Sequence, residues 1–190
     1  MATRAIRMVD EYPSADNKRR VDIILSNFQN FPEIMNGYEE SLKFLIINER
    51  KSERRKTMGD LGVRVQTSGT SDKTANDAIE SVMLSEALRS GMLEEELKDI
   101  ECPEKYLKEA EVISDMREDF ALIKALVKTL PWPEYQVMHS YLTETHDLIK
   151  IADATNSTYE AVRNRIKKAR QQIRRDSELY FNKKYYITEE

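Results

Sequence analysis

The sequence predicts an all-α fold: a helical N-terminal region followed by a C-terminal domain built around two helices joined by a tight turn. Three observations carry this. Glycine and proline number only five each in 190 residues, too few for a turn-rich β fold. Apolar residues recur three and four positions apart along much of the chain, the period of a helix with one buried face. The alternation at Val63 and Val65 is too short to make a sheet.

Residues 1–18 are polar and are expected to fray. Val21, Ile24, Leu25 and Phe28 mark a short helix, and Pro32 suits the first turn of the next. Tyr38, Leu42, Leu45 and Ile46 give that helix its apolar face. It is expected to run on into a solvated, basic end over 49–56, where cations suit a helix C-terminus. From Met58 to Lys73 periodicity disappears, and Gly59, Gly62 and Gly69 among threonines and serines mark a linker. Helix resumes at Thr74 with Ala78, Ile79, Val82, Met83 and Ala87 as its stripe, and Gly91 supplies a C-terminal stop. Met92, Leu93, Leu97 and Ile100 suggest a further short helix. Pro103 opens a long helix reaching about Leu130, with a heptad-like seam of Ile113, Met116, Phe120, Ile123, Val127 and Leu130. Fewer than three heptads favour a core helix over a dimerising one. Pro131 and Pro133 end it. A helix over 134–142 follows, with Val137, Met138 and Tyr141 inward, and Trp132 is expected to bury its ring at the junction. The chain thus divides into an N-terminal helical region (1–57), a linker (58–73), a helical region that includes the long helix (74–130) and a C-terminal domain (131–190).

Chemistry concentrates in that last part. A helix over 148–154 carries the apolar pair Ile151 and Ala152, whose small second member lets two helix backbones approach. Asn156 tolerates the left-handed backbone that a tight turn needs. Thr158 is a good N-cap for the next helix. There Val162, Ile166, Ala169 and Ile173, spaced four, three and four, make one apolar stripe. Arg163, Asn164, Lys167, Arg170 and Arg174 fall outside it. Gln171 onward extends the helix, and Tyr180, Phe181, Tyr185 and Tyr186 are placed to dock it. This is the layout of a helix-turn-helix whose second helix is basic and able to enter a DNA major groove.

From about Leu130 to Arg175 the chain resembles region four of bacterial sigma factors and related phage transcription regulators. The shared pattern is an apolar–Ala pair, a turn, a capping Ser or Thr, an apolar residue four later and an Arg/Lys-rich run. The chain departs from it at Asn156, where glycine is commoner, and at Ser157, where an aliphatic residue is usual. The stretch 62–75, Gly-Val-Arg-Val-Gln-Thr-Ser-Gly-Thr-Ser-Asp-Lys-Thr-Ala, is similar to a segment of phage-encoded regulators of the ArpU and RinA type. The resemblance implies an activator of late or lytic phage genes that acts with RNA polymerase. By match to the pattern, Tyr159, Glu160, Arg163 and Asn164 are base-edge candidates, and Thr158, Lys167, Lys168 and Arg170 phosphate candidates. The helix over 148–154 would brace them.

Charge distribution agrees with double-stranded DNA as partner despite a net charge of −4. Residues 77–119 hold 14 acidic and 5 basic side chains, whereas 161–184 hold 9 basic and 2 acidic. The field around the basic helix is therefore positive, and the acidic middle is expected to face away from DNA or meet a protein. No run is long and apolar enough to span a membrane, and the N-terminus lacks the apolar core of a signal peptide. The expectation is a cytoplasmic protein, bound to the nucleoid of a bacterial host. Catalysis finds no motif: His-Glu-x-x-His, a Walker loop, Gly-x-Gly-x-x-Gly and a nucleophile elbow are all missing. His139 and His146 read as satisfied or solvent-facing. With one cysteine, Cys102, no multi-cysteine metal site can form, so neither cofactor nor metal is expected. A homodimer and RNA polymerase are the protein partners considered. Two other classes stay open: a DNA-binding assembly factor such as a small terminase subunit, and a protein-binding module that uses the acidic middle.

Overall fold

A computed structural model describes the backbone of residues 4–58 and 73–186, and side chains over 8–56 and 78–183. These residues form eight α-helices and one 3-10 turn, and no strand occurs among them. The helices are α1 (Arg4–Glu11), α2 (Asn17–Ser26), α3 (Phe31–Met58), α4 (Lys73–Ser90), α5 (Pro103–Lys128), α6 (Trp132–Thr143), α7 (Leu148–Ala154) and α8 (Tyr159–Tyr186). The all-α expectation holds. Among the described residues, no helix is long and apolar enough to cross a membrane. Gly59, Gly62 and Gly69 of the linker lie outside the described residues, as do the side chains of Tyr185 and Tyr186.

The helices group into two compact units, one of residues 1–34 and 116–190, the other of 35–115. This differs from a division at residues 57, 73 and 130, because long-range packing, not sequence order, decides which helices share a core. In the first unit the chain's opening helices lie with its closing ones. Its core is built from Val21, Ile24 and Leu25 of α2, Met116, Ile123 and Val127 of α5, Val137, Met138 and Leu142 of α6, and the buried stripe of α8. Phe120 stacks on Phe31 and tilts against Phe28, both with centroids 5.3 Å apart.

Among the described residues of 1–18, helix and turn form where polarity suggests fraying. Helix α1 leads into the turn Tyr12–Ser14, whose Tyr12 joins a buried network. Tyr12, with no exposed surface, donates its hydroxyl to Asp119 Oδ2 at 2.7 Å. Arg20 reaches the same oxygen at 3.4 Å, lies 5.1 Å above the Tyr12 ring and donates to the Ala15 carbonyl. A buried carboxylate is tolerable only with such donors. Its partners are about a hundred positions away, so local periodicity could not reveal it.

The second unit packs Leu42, Ile46, Leu84, Leu88, Leu93, Leu97, Ile100, Tyr106 and Ile113 into one cluster. Three expectations are corrected there. Helix α4 turns Leu84, Ala87 and Leu88 inward and leaves Ile79, Val82 and Met83 more than half exposed. It is apolar on two sides, and periodicity alone does not choose between them. The stretch 94–99 forms turns, not a helix, although Leu93, Leu97 and Ile100 are buried as their spacing suggests. Arg50, assigned to a solvated basic end, is buried between Glu80 at 2.9 Å and Glu96 at 2.7 Å. Burial opposes its charge, but the Glu96 and Glu80 carboxylates outweigh burial and raise its pKa. Gly91 ends α4 as expected: its φ is 73°, and Met92 N–H donates to the Ala87 carbonyl at 3.1 Å, the six-to-one bond of a left-handed cap.

In the first unit, Trp132 is also corrected. It stands at the first position of α6 with 68% of its surface exposed, in a ladder with Tyr135 at 5.9 Å and His139 beyond at 5.5 Å. Of the expected seam, Met116, Ile123, Val127 and Leu130 are buried and Phe120 half-buried in this unit, while Ile113 is buried in the second.

Candidate nucleic-acid interface

Each helix boundary around the basic face has a local cause. Helix α7 begins at the N-cap Asp147, whose Oδ1 accepts from Ile149 N–H at 3.0 Å. It ends in the turn 155–158, where Asn156 has φ 45°. Ser157 N–H donates to the Ala152 carbonyl at 2.9 Å and Asn156 N–H to that of Asp153 at 3.3 Å. These two bonds satisfy carbonyls that the helix end would otherwise leave open. Asparagine is one of the few side-chain-bearing residues that holds this geometry at modest cost. Thr158 then caps α8 by accepting the Ala161 N–H at 3.2 Å.

The stripe expected on α8 is buried in full: Val162, Ala169 and Ile173 have no exposed surface and Ile166 has 7%. Ser177 and Phe181 continue it at 1% each. Helix α8 packs on α2, α6 and α7. With 28 residues it is about 42 Å long.

Packing that stripe against the unit decides where the candidate residues stand. Thr158, Tyr159, Glu160, Arg163, Asn164, Lys167 and Lys168 are all exposed. Glu160, in the first turn, suits the positive end of the helix dipole. Among the described residues, none pairs with the side chains of Arg163, Asn164, Lys167 or Lys168 through a hydrogen bond or ion pair. They form one solvated face with three cations and an amide. Such a face can neutralise phosphates and offer donors and acceptors to base edges.

Arg170 stands apart from the other seven. It is half-buried, its guanidinium lies 5.4 Å from the Tyr141 ring centroid, and Nη2 donates to the Tyr141 hydroxyl at 3.4 Å. It follows Ala169 directly, so it emerges beside the buried stripe and is drawn over an aromatic of α6. Arg174 is likewise engaged, with Nη2 2.5 Å from Asp22 Oδ1 on α2.

Two further residues shape this face: Arg165, and Tyr141, which the sequence marks only as inward. Arg165 donates to Ser157 Oγ at 3.1 Å and ties the first turns of α8 back to the turn before it. Tyr141 holds Arg170 on one side and meets the His146 ring at 4.8 Å on the other. The eight-residue spacing of Ser157 and Arg165 is a signal, but only once the turn's geometry is known. Comparison with protein-family models, curated proteins and solved structures returns no match for this chain.

Proposed function

We propose that this chain is a sequence-specific DNA-binding transcription regulator. Its α7–turn–α8 element is a helix-turn-helix of the sigma region-four kind, with α8 as the recognition helix. One observation carries the reading. The left-handed turn at Asn156 and the Thr158 cap start α8 so that its apolar stripe is buried and Arg163, Asn164, Lys167 and Lys168 are presented together, unpaired among the described residues. Phosphate neutralisation with counterion release supplies affinity to such a face. Arginine toward guanine and asparagine toward adenine supply discrimination.

The resemblance of 130–175 to sigma region four, and of 62–75 to regulators of the ArpU and RinA type, extends the proposal to activation of late or lytic phage genes with RNA polymerase in the bacterial cytoplasm. A second copy of the chain is the other protein partner in this reading.

Genome-wide DNA occupancy tests it, with wild type beside a variant neutralised at Arg163, Lys167 and Lys168. Discrete peaks upstream of genes that vanish in the variant support the proposal. Peaks confined to a packaging locus favour an assembly factor, and no peaks in either protein refute DNA binding. In a binding-site selection, Arg163→Ala with Asn164→Ala is expected to alter base preference; an unchanged preference removes the base-reading role from these two residues.

A further inference from the structure

The fold brings a lysine from the opening of the chain to the far half of α8. Resting on the function proposed above, we infer that Lys18 and Arg175 form a second phosphate-binding patch that extends the DNA footprint past the major groove. A shallow groove between the start of α2 and the second half of α8 is lined by Lys18, Gln171, Arg174, Arg175 and Glu178. Arg174 is spent on Asp22, through Nη2 at 2.5 Å and Nε at 3.2 Å. That pair, with Asn17 Nδ2 donating to Asn182 Oδ1 at 3.4 Å, fixes α2 along α8 and sets Lys18 beside Arg175. Both cations are exposed, and among the described residues no carboxylate pairs with either.

Helical phase places this patch on the proposed DNA-facing side. Asn164, Lys168, Gln171 and Arg175 each stand two residues after Val162, Ile166, Ala169 and Ile173. Two residues are about 200° around a helix, so a buried stripe dictates an exposed one opposite. All four members of that second stripe are exposed. It runs unbroken from the base-reading candidates to the groove. Arg163 and Arg175 are separated by about 18 Å along the helix axis, more than the ~12 Å width of the major groove. A helix with its first turns on base edges has therefore reached the groove wall by Arg175, and a cation there meets phosphate. With a rise of ~3.4 Å per nucleotide, that phosphate lies up to about five base pairs from the bases read. Glu178 is the opposing carboxylate in the groove, and it sets the local field against the patch.

The test uses the full chain and a labelled random-sequence duplex of about 30 base pairs, titrated at salt between about 50 and 200 mM. Lys18→Gln with Arg175→Gln is expected to lower the slope of log K against log salt by about 1.8, at ~0.9 per phosphate released. Glu178→Gln is expected to tighten binding at every salt concentration. In a binding-site selection the double variant should retain the wild-type base preference. Both positions are exposed, so unchanged circular dichroism checks folding. A double variant with wild-type slope and affinity overturns the patch if neutralising Arg163, Lys167 and Lys168 still weakens binding. Absence of duplex binding by the wild type overturns the function proposed above, and the patch with it.

Discussion

Asn156 holds the turn that aims α8, and its backbone conformation sets a testable cost. Its φ of 45° lies in the left-handed region. The bonds from Ser157 N–H to Ala152 at 2.9 Å and from Asn156 N–H to Asp153 at 3.3 Å fix the backbone there. A left-handed residue with a Cβ costs roughly 1–2 kcal/mol, part of which asparagine recovers through local hydrogen bonding. Asn156→Ala bears the cost more fully and should destabilise by about 1 kcal/mol, and β-branched Asn156→Val by about 2 kcal/mol. Asn156→Gly relieves the strain, but its unfolded chain gains about 0.5–1 kcal/mol of entropy. The two terms nearly cancel, leaving that variant within about 0.5 kcal/mol of wild type. At ~2–4 °C per kcal/mol for a chain of this size, melting followed by circular dichroism should rank glycine with asparagine, alanine a few degrees lower and valine lower again. Wild-type stability in both the alanine and valine variants, or a glycine variant as weak as the alanine one, would refute the reasoning.

Tyr12→Phe removes a donor 2.7 Å from the buried Asp119 carboxylate; the expected loss is about 1.5–3 kcal/mol in urea unfolding, and a change under ~0.5 kcal/mol would mean that the network does not anchor the N-terminal helices. Arg50→Ala takes the buried cation from Glu96 and leaves Glu80 with the exposed Arg54 at 3.9 Å; it should cost about 3 kcal/mol, most of it recovered when Arg50→Met is combined with glutamine at both acids, and equal stability of the single and triple variants would count against this. Burial, reinforced by the hydroxyl's hydrogen bond to Glu49, pushes the Tyr106 pKa up to about 12. The unfolded value is about 10, so the protonated hydroxyl favours the folded state, and its contribution is fully present below about pH 10 and lost as pH rises toward 12. Ultraviolet titration should show a late phenolate step that Tyr106→Phe deletes, and an identical titration in the variant would disprove the assignment.

Legibility followed the range of the interaction. The bounds of α7, the Asn156 turn and the Thr158 cap rest on contacts within a few residues, and the α8 stripe, though α2, α6 and α7 cover it, is written in its own spacing, so the sequence shows all four. So does the exposure of Arg163, Asn164, Lys167 and Lys168, because it follows from the buried stripe. Arg170 was less legible, because its position depends on Tyr141, which lies 29 residues earlier. The ordering of the first helices was hidden because Tyr12 and Arg20 find Asp119 across 107 and 99 residues. Helix α4 misled for a different reason: with apolar residues on both faces, period identifies a helix without naming its inner side. Trp132 misled by size alone, since a residue at the start of a helix preceded by proline can point outward whatever its area.

The first unit is assembled from the two ends of the chain, residues 1–34 and 116–190, with 35–115 intervening. This has a consequence for biosynthesis. The middle unit draws its core from contiguous sequence and can close while translation is under way. Helix α2 must wait until the ribosome has released α8, the helix it packs against through Asp22 and Arg174. At roughly 5–20 residues per second the delay is about ten to thirty seconds. Chains stopped short of α8 would contain a foldable middle but no complete first unit. The proposed DNA-binding face thus forms only after α8 has been synthesised, long after α2.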